Sequence, residues 1–247
     1  MKLDYEKAFD KVDLDFLDAL LIKRGFGPKI RNWIRLATRG GSVAVKINNV
    51  LGNYFVTTKG LRQGDPMSPI LFNFVVDVFT KMLIKGTSLN LIRGLCPQHC
   101  PGGVVSLQYA DDTILFVENN VEVAKKLKTI LTCFEQVSGM RINYSKSELV
   151  PINLCEDDVN ALKSIFGCSI GTFPIKYLGI PLHHDKLRRE DIQPIVDKIL
   201  KRIADWRGKL LSYGAKVTLI RYCLASIPVY LLSFFKFTKW ALELINN

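Results

Sequence analysis

The chain opens without an apolar signal segment and carries no internal repeat and no low-complexity linker, so neither export nor a solenoid architecture is expected. Histidine is scarce: the 3 in 247 residues are His99, His183 and His184, and the adjacent pair has no partner at ligand spacing. Cys96-Pro97-Gln98-His99-Cys100 offers zinc-type ligands, yet no second pair follows at finger spacing and the Cys-x-x-Cys-His order of haem attachment is absent. With Pro101-Gly102-Gly103 behind it, this stretch reads as a loop. The 6 cysteines are irregularly spaced, which argues for free thiols in a reducing, intracellular compartment. Long apolar runs are lacking too. The longest, Tyr222 to Phe235, contains Pro228 and falls short of the roughly 20 residues of a membrane span, so a buried helix and no membrane partner are expected.

Negative charge is the last deficit. Against 23 acidic residues stand 34 basic ones, a net charge of +11 and a pI near 9.4 that call for a polyanionic partner, nucleic acid before a membrane surface. The excess crowds one C-terminal stretch: Lys186, Arg188, Arg189, Lys198, Lys201, Arg202, Arg207, Lys209, Lys216 and Arg221. Such a stretch is either a solvated helix face or a phosphate-contacting surface.

With 48% hydrophobic and 23% charged residues, the chain can bury a sizeable core. Asp13 can cap a helix carrying Phe16, Leu17, Leu20 and Leu21 on one face and ending at Gly25. A second helix runs from Pro28 to Gly40-Gly41 with Ile30, Trp33, Ile34 and Ala37 inward. Val43, Val45 and Ile47 alternate with polar residues and can pair with Tyr54 to Thr58 as a hairpin. A Gly/Pro-punctuated loop, Gly60 to Pro69, opens into an apolar helix from Ile70 to Leu83. Val123, Leu127, Ile130, Leu131 and Phe134 repeat at helical spacing up to Gly139. From Arg189 the pattern is helical and basic, with Pro194 in the first turn and breaks near Gly208, Gly214 and Pro228. The fold class is therefore α+β, with residues 1–184 as one domain and 185–247 as a basic helical region.

Tyr109-Ala110-Asp111-Asp112 lies between the apolar runs Val104 to Leu107 and Ile114 to Val117, which places two adjacent carboxylates at the tip of a hairpin. Aspartate is an ordinary turn residue, so the pair alone is a weak motif. Two like charges side by side nevertheless suit a cation between them, and clustered oxygen ligands suit Mg²⁺. Asp4, in Asp4-Tyr5-Glu6-Lys7-Ala8-Phe9-Asp10, can join them if Met1 to Leu3 form a strand beside the hairpin; otherwise it is a helix cap or part of a fraying terminus. In Gly60-Leu61-Arg62-Gln63-Gly64-Asp65-Pro66-Met67-Ser68-Pro69, Gly64 permits close backbone approach, Gln63 can hydrogen-bond in a groove and Arg62 can meet phosphate.

Taken in order, these motifs resemble the reverse transcriptase domain of LINE-type non-LTR retrotransposons. Asp4 with Phe9 is similar to the first palm motif, Gly60 to Pro69 to the second, and Tyr109 to Asp112 to the third. Ser138-Gly139-Met140-Arg141-Ile142-Asn143 through Lys146-Ser147 resembles the fourth, and Tyr177-Leu178-Gly179-Ile180-Pro181 the primer grip. Trp206-Arg207-Gly208-Lys209-Leu210-Leu211-Ser212 and Ile227-Pro228-Val229-Tyr230 are similar to the region that follows.

The resemblance implies a right-hand polymerase palm, an antiparallel sheet packed on helices, followed by a helical thumb-like region. It implies RNA-directed DNA synthesis from dNTPs on an RNA template and DNA primer. Asp4, Asp111 and Asp112, with the Tyr5 carbonyl, would hold two Mg²⁺ ions, or Mn²⁺ in their place. Lys146 would act near the leaving group, and the amides of Lys7 and Ala8 would meet the triphosphate. Phe9 would exclude a ribose 2′-hydroxyl, which speaks against the related RNA-dependent RNA polymerases. Gln63 and Gly64 would line the nascent base pair, with Arg62 beside them in the substrate site, and Tyr177, Leu178 and Gly179 would place the primer end. Cytoplasm or nucleus is the compartment the family implies. Because Met1 stands so close to Asp4, the family's fingers segment and upstream endonuclease are expected to be missing, as in an N-terminally truncated reverse transcriptase. The alternative is an inactive retroelement remnant that keeps only nucleic-acid binding.

Overall fold

The computed structural model describes residues 1–99, 103–182, 188–205, 211–237 and 239–246. Cys100, Pro101, Gly102, His183, His184, Lys186, the Trp206 to Leu210 segment and the expected domain boundary at 184/185 lie outside the described residues. The chain forms two compact units, Met1–Thr172 and Phe173–Asn247.

In the first unit the order is β1 (Lys2–Leu3), α1 (Ala8–Lys11), α2 (Leu14–Lys23), α3 (Pro28–Thr38), β2 (Ser42–Val43), β3 (Lys46–Ile47), β4 (Val50–Leu51) and β5 (Phe55–Val56). There follow α4 (Ser68–Ser88), β6 (Ser106–Tyr109), β7 (Asp112–Leu115), α5 (Val121–Ser138), β8 (Glu148–Leu149), α6 (Glu156–Phe166) and β9 (Ser169–Ile170). Five of the strands make a sheet in the order β6-β7-β1-β8-β9, antiparallel except for the β8–β9 pair. The architecture is α+β, as the alternation of periods implied.

Local signals explain the helix limits. Asp13 caps α2, its carboxylate accepting from the amides of Asp15 and Phe16 at 2.9 and 2.7 Å. Asn120 does the same for α5, and Gly139, at φ 75, ends it. On α4, Leu71, Phe72, Val75, Val76, Phe79 and Leu83 are buried at helical spacing, and they meet Leu127, Leu131 and Phe134 of α5 in one core with Leu3 and Leu115 of the sheet.

Helix α3 departs from the expected pattern. Only Ile34 of its apolar residues is buried, while Ile30 and Trp33 are 46% and 58% exposed. The guanidinium of Arg31 grips both carboxylate oxygens of Asp18 on α2 at 3.0 and 2.7 Å, which turns this face of α3 onto α2 and leaves Trp33 outward. The Asp18 carboxyl is accordingly held below the usual carboxylate range. The hairpin after α3 forms as two short ladders, β2–β5 and β3–β4, but Val43, Val45, Ile47 and Phe55 are all exposed, so its alternation does not mark a buried face.

The second unit holds the hairpin β10 (Ile175–Tyr177) and β11 (Ile180–Leu182), then α7 (Arg189–Asp205), α8 (Tyr213–Leu219), a π-helical turn over Ile220–Leu224, α9 (Ser226–Leu232) and α10 (Lys239–Asn246). Ile180, Ile192, Leu231, Phe237 and Ala241 form its small core. The hairpin therefore packs with the helices that follow it, and the division falls ahead of the boundary read from the charge pattern. The expected break near Gly214 is there, since Ser212 caps α8 and the helix begins at Tyr213, but the one near Pro228 is not: the chain stays helical from Tyr213 to Leu232, a run long and apolar enough by composition to cross a membrane. The π-turn, with the Ala225 amide bonded to the Ile220 carbonyl at 2.9 Å, precedes Pro228, which has no amide to donate. Nor is this run a buried helix, since Tyr213, Tyr222 and Val229 are exposed and Leu219, Pro228 and Leu231 form its buried stripe.

At the start of β1 the Met1 nitrogen donates to the Leu115 carbonyl and the Leu115 amide donates back to the Met1 carbonyl, each at 2.7 Å, which fixes this end of the strand against β7.

Candidate active site

The β6–β7 hairpin pairs Tyr109 with Asp112, which leaves Ala110 and Asp111 as its two-residue turn. Only Asp111 is thus at the tip, and Asp112 is the first residue of β7. Ala110 sits at φ 53, a left-handed conformation that costs an alanine about 1 kcal/mol. Ala110→Gly is expected to stabilise the fold by up to about 0.5 kcal/mol, after glycine's greater unfolded entropy is subtracted; thermal unfolding measures it. A polar chain under the hairpin fixes it: Thr80 of α4 donates to Gln108 at 2.9 Å, and Gln108 donates to the buried Thr113 at 3.3 Å.

Strand β1 sets the partner of this pair. Lys2 lies opposite Ile114 and Leu3 opposite Thr113, so continuing the register puts Asp4 opposite Asp112 on the same face. On its other side the chain is held by the segment after α5. The Asp4 amide donates to the Ser147 hydroxyl at 3.0 Å, the Asn143 amide donates to the Asp4 carbonyl at 2.8 Å, and the Glu6 amide donates to the Arg141 carbonyl at 2.9 Å. Because successive residues of an extended chain alternate sides, the Tyr5 carbonyl between them points to the hairpin. The Tyr5 side chain is buried, its hydroxyl facing Thr113 without a well-formed hydrogen bond; burial drives its pKa far up, and the charges of Glu135 and Asp111 add to this.

Asp4 and Asp111 are exposed and Asp112 is partly so. None of the three has an ion-pair or side-chain hydrogen-bond partner among the described residues. Nor do three His, Cys, Asp or Glu side chains anywhere among the described residues already converge on a metal position. Three carboxylates with no counter-ion repel one another, whereas a cation between them draws them in. The donor set is oxygen only, the chemistry that suits a hard divalent cation.

The remaining residues divide by element. Lys7, at φ 46, turns the chain from β1 into α1, Ala8 is buried, and Phe9 stacks on Phe72 of α4 with centroids 4.3 Å apart. Gln63 donates to Asp10 at 3.2 Å, tying the Gly60 to Pro69 loop to the α1 segment. At Gly60 a Cβ would lie 2.6 Å from the Asp10 carbonyl, whereas Gly64 faces open space. Arg62 is exposed and its guanidinium covers Gly41. Lys146 is exposed beside buried Ser147. In the second unit, Leu178 and Gly179 make the β10–β11 turn, both at positive φ, and the Leu178 carbonyl accepts from the Tyr230 hydroxyl at 2.7 Å. Motif reading passed over Glu135, whose oxygens accept from the Ile142 amide at 2.7 Å and the Tyr144 hydroxyl at 3.1 Å. A charged residue beside the fully buried Phe134 was its only sequence signal.

Residues 1–182 match the family described as reverse transcriptase (RNA-dependent DNA polymerase). The chain belongs to this family. The chain is 30% identical over 232 residues to the "Transposon TX1 uncharacterized 149 kDa protein" of Xenopus laevis, covering 92% of this chain and 17% of that protein. It is 33% identical over 129 residues to a "Retrovirus-related Pol polyprotein from type-1 retrotransposable element R2" of Nasonia vitripennis, covering 52% of this chain and 12% of that one. With the corresponding R2DM polyprotein of Drosophila melanogaster it shares 29% identity over 154 residues, 61% of this chain and 13% of the other. By their names these relatives come from a transposon and from R2 retrotransposable elements, and this chain spans a small part of their length.

Proposed function

We propose that this chain is the palm and thumb-like part of an RNA-directed DNA polymerase that adds dNTPs to a primer 3′-hydroxyl on an RNA template. The observation that carries the reading is the gathering of Asp4, Asp111 and Asp112 at one end of the sheet with no counter-ion among the described residues. Asp4 and Asp111, with Asp112 and the Tyr5 carbonyl beside them, would hold two Mg²⁺ ions, and Mn²⁺ suits the same donors. Bound there, the ions would acidify the primer 3′-hydroxyl and neutralise charge on the transferring phosphate. The Phe9 ring, braced on Phe72, stands as a wall against a ribose 2′-hydroxyl. Lys146 stabilises or protonates the pyrophosphate leaving group. The amides of Lys7 and Ala8 meet the triphosphate, and Arg62, Gln63 and Gly64 flank the nascent base pair. Tyr177, Leu178 and Gly179 carry the primer end. The basic helices beyond 185 contact the template-primer backbone. Lys216 and Arg221 within the apolar Tyr213–Leu232 run support a nucleic-acid face there over a membrane span.

Primer extension on an RNA template decides the matter. Mg²⁺-dependent incorporation of dNTPs, with rNTPs used at least about a hundredfold less well, is the expected result. Salt-sensitive binding of template-primer without any extension would instead support a chain that retains only nucleic-acid binding.

A further inference from the structure

We propose that Ser147 is the positioning residue for Asp4, with Glu135 anchoring the segment to which Ser147 belongs. The inference rests on the two-cation reading of the site. Strand β1 ends at Leu3, so the ladder that aligns Lys2 and Leu3 with β7 no longer includes Asp4. What fixes the Asp4 backbone lies on the opposite side. The Ser147 hydroxyl, fully buried, accepts from the Asp4 amide at 3.0 Å and donates to the Asn143 carbonyl at 2.8 Å. That carbonyl also accepts from the amides of Lys146 and Ser147, at 3.1 and 2.8 Å, so it does not depend on the hydroxyl. The Asp4 amide has no second acceptor: removing the hydroxyl deprives Asp4 and little else.

The 142–147 segment is itself pinned to α5. One Glu135 oxygen accepts from the Ile142 amide and the other from the Tyr144 hydroxyl, at 2.7 and 3.1 Å. Ile142 bridges Tyr5, whose carbonyl faces the hairpin, and Lys146 rides on the same turn. A shift of this segment would therefore displace Asp4, the Tyr5 carbonyl and Lys146 together. Ligand geometry tolerates only about 0.5 Å of such displacement.

The test compares the unsubstituted chain with Ser147→Ala, Glu135→Ala and Glu135→Gln, all at a temperature where circular dichroism shows them folded. Loss of one such hydrogen bond corresponds to about a tenfold effect at most. Ser147→Ala is expected to speed hydrogen exchange of the Asp4 amide and to weaken Mn²⁺ binding, followed by electron paramagnetic resonance, each by about 5- to 10-fold. It should lower kcat by a similar factor with the dNTP KM within about twofold. Glu135→Ala should act in the same direction, and Glu135→Gln, whose carbonyl and amide can keep both bonds, should restore the original values. If Ser147→Ala does not fold, the Glu135 pair carries the test alone. Unchanged Mn²⁺ affinity and unchanged Asp4 exchange in the alanine variants would overturn the proposal. Absence of Mn²⁺ binding in the unsubstituted chain would instead sink the two-cation reading, and faster Asp4 exchange would then show the clamp to be structural only.

Discussion

Replacing Asp111 by alanine is expected to lower Mg²⁺-dependent primer extension by about 10³-fold while leaving the unfolding free energy within about 0.5 kcal/mol. The two effects separate because of where this residue stands. It occupies the exposed turn between β6 and β7 and has no ion pair and no side-chain hydrogen bond among the described residues, so no such contact is lost when its carboxylate goes. Relief of repulsion from Asp4 and Asp112 offsets part of the change in turn propensity. Activity depends on the same carboxylate fully, since it is half of the pair that would hold the cations. Single-nucleotide incorporation across a Mg²⁺ titration, read beside urea unfolding, measures both. Extension within about tenfold of the unsubstituted chain would remove Asp111 from the site.

The largest loss of stability should come from Phe134→Ala, about 3–5 kcal/mol. Phe134 of α5 and Phe79 of α4 are both fully buried with ring centroids 5.0 Å apart, so truncating one ring leaves a cavity in the core. Such a loss is a large fraction of the roughly 5–15 kcal/mol of a whole domain. Because Glu135 is the next residue on α5, loosening this helix should also raise the exchange rate of the Ile142 amide. Trp33→Ser, at a site that is 58% exposed, should by contrast shift the urea midpoint little. Equilibrium unfolding of the two variants side by side decides this, and a Phe134→Ala cost under about 1 kcal/mol would mean that the α4–α5 contact is not the centre of the core.

Much of the framework was legible in the chain because its signals are local. Asp13 and Asn120 cap helices through their own side chains and the next amides, and Gly139 ends α5 because a left-handed residue is needed there. The α4 and α5 faces show as apolar spacing. Misreadings arose where an apolar pattern did not imply burial. The faces of α3, the 42–56 hairpin and the Tyr213–Leu232 run are as apolar as those of the core, yet they are largely exposed. Periodicity reports which residues share a face; it does not report whether another element covers that face. Pro228 misled for a related reason, since a π-turn upstream lets the helix continue through it.

At the site the division is similar. The sequence by itself determined the ordered motifs, hence the reverse transcriptase family, and the presence of three carboxylates near two apolar strands. Only the tertiary structure decided that Asp112 belongs to a strand and Asp111 to the turn, that Leu3, next to Asp4, lies opposite Thr113, next to Asp112, and that the Asp4 amide meets the Ser147 hydroxyl. Strand register is the reason. It is set by hydrogen bonds between segments more than a hundred residues apart in sequence, as between Leu3 and Thr113, and no local preference encodes such a pairing.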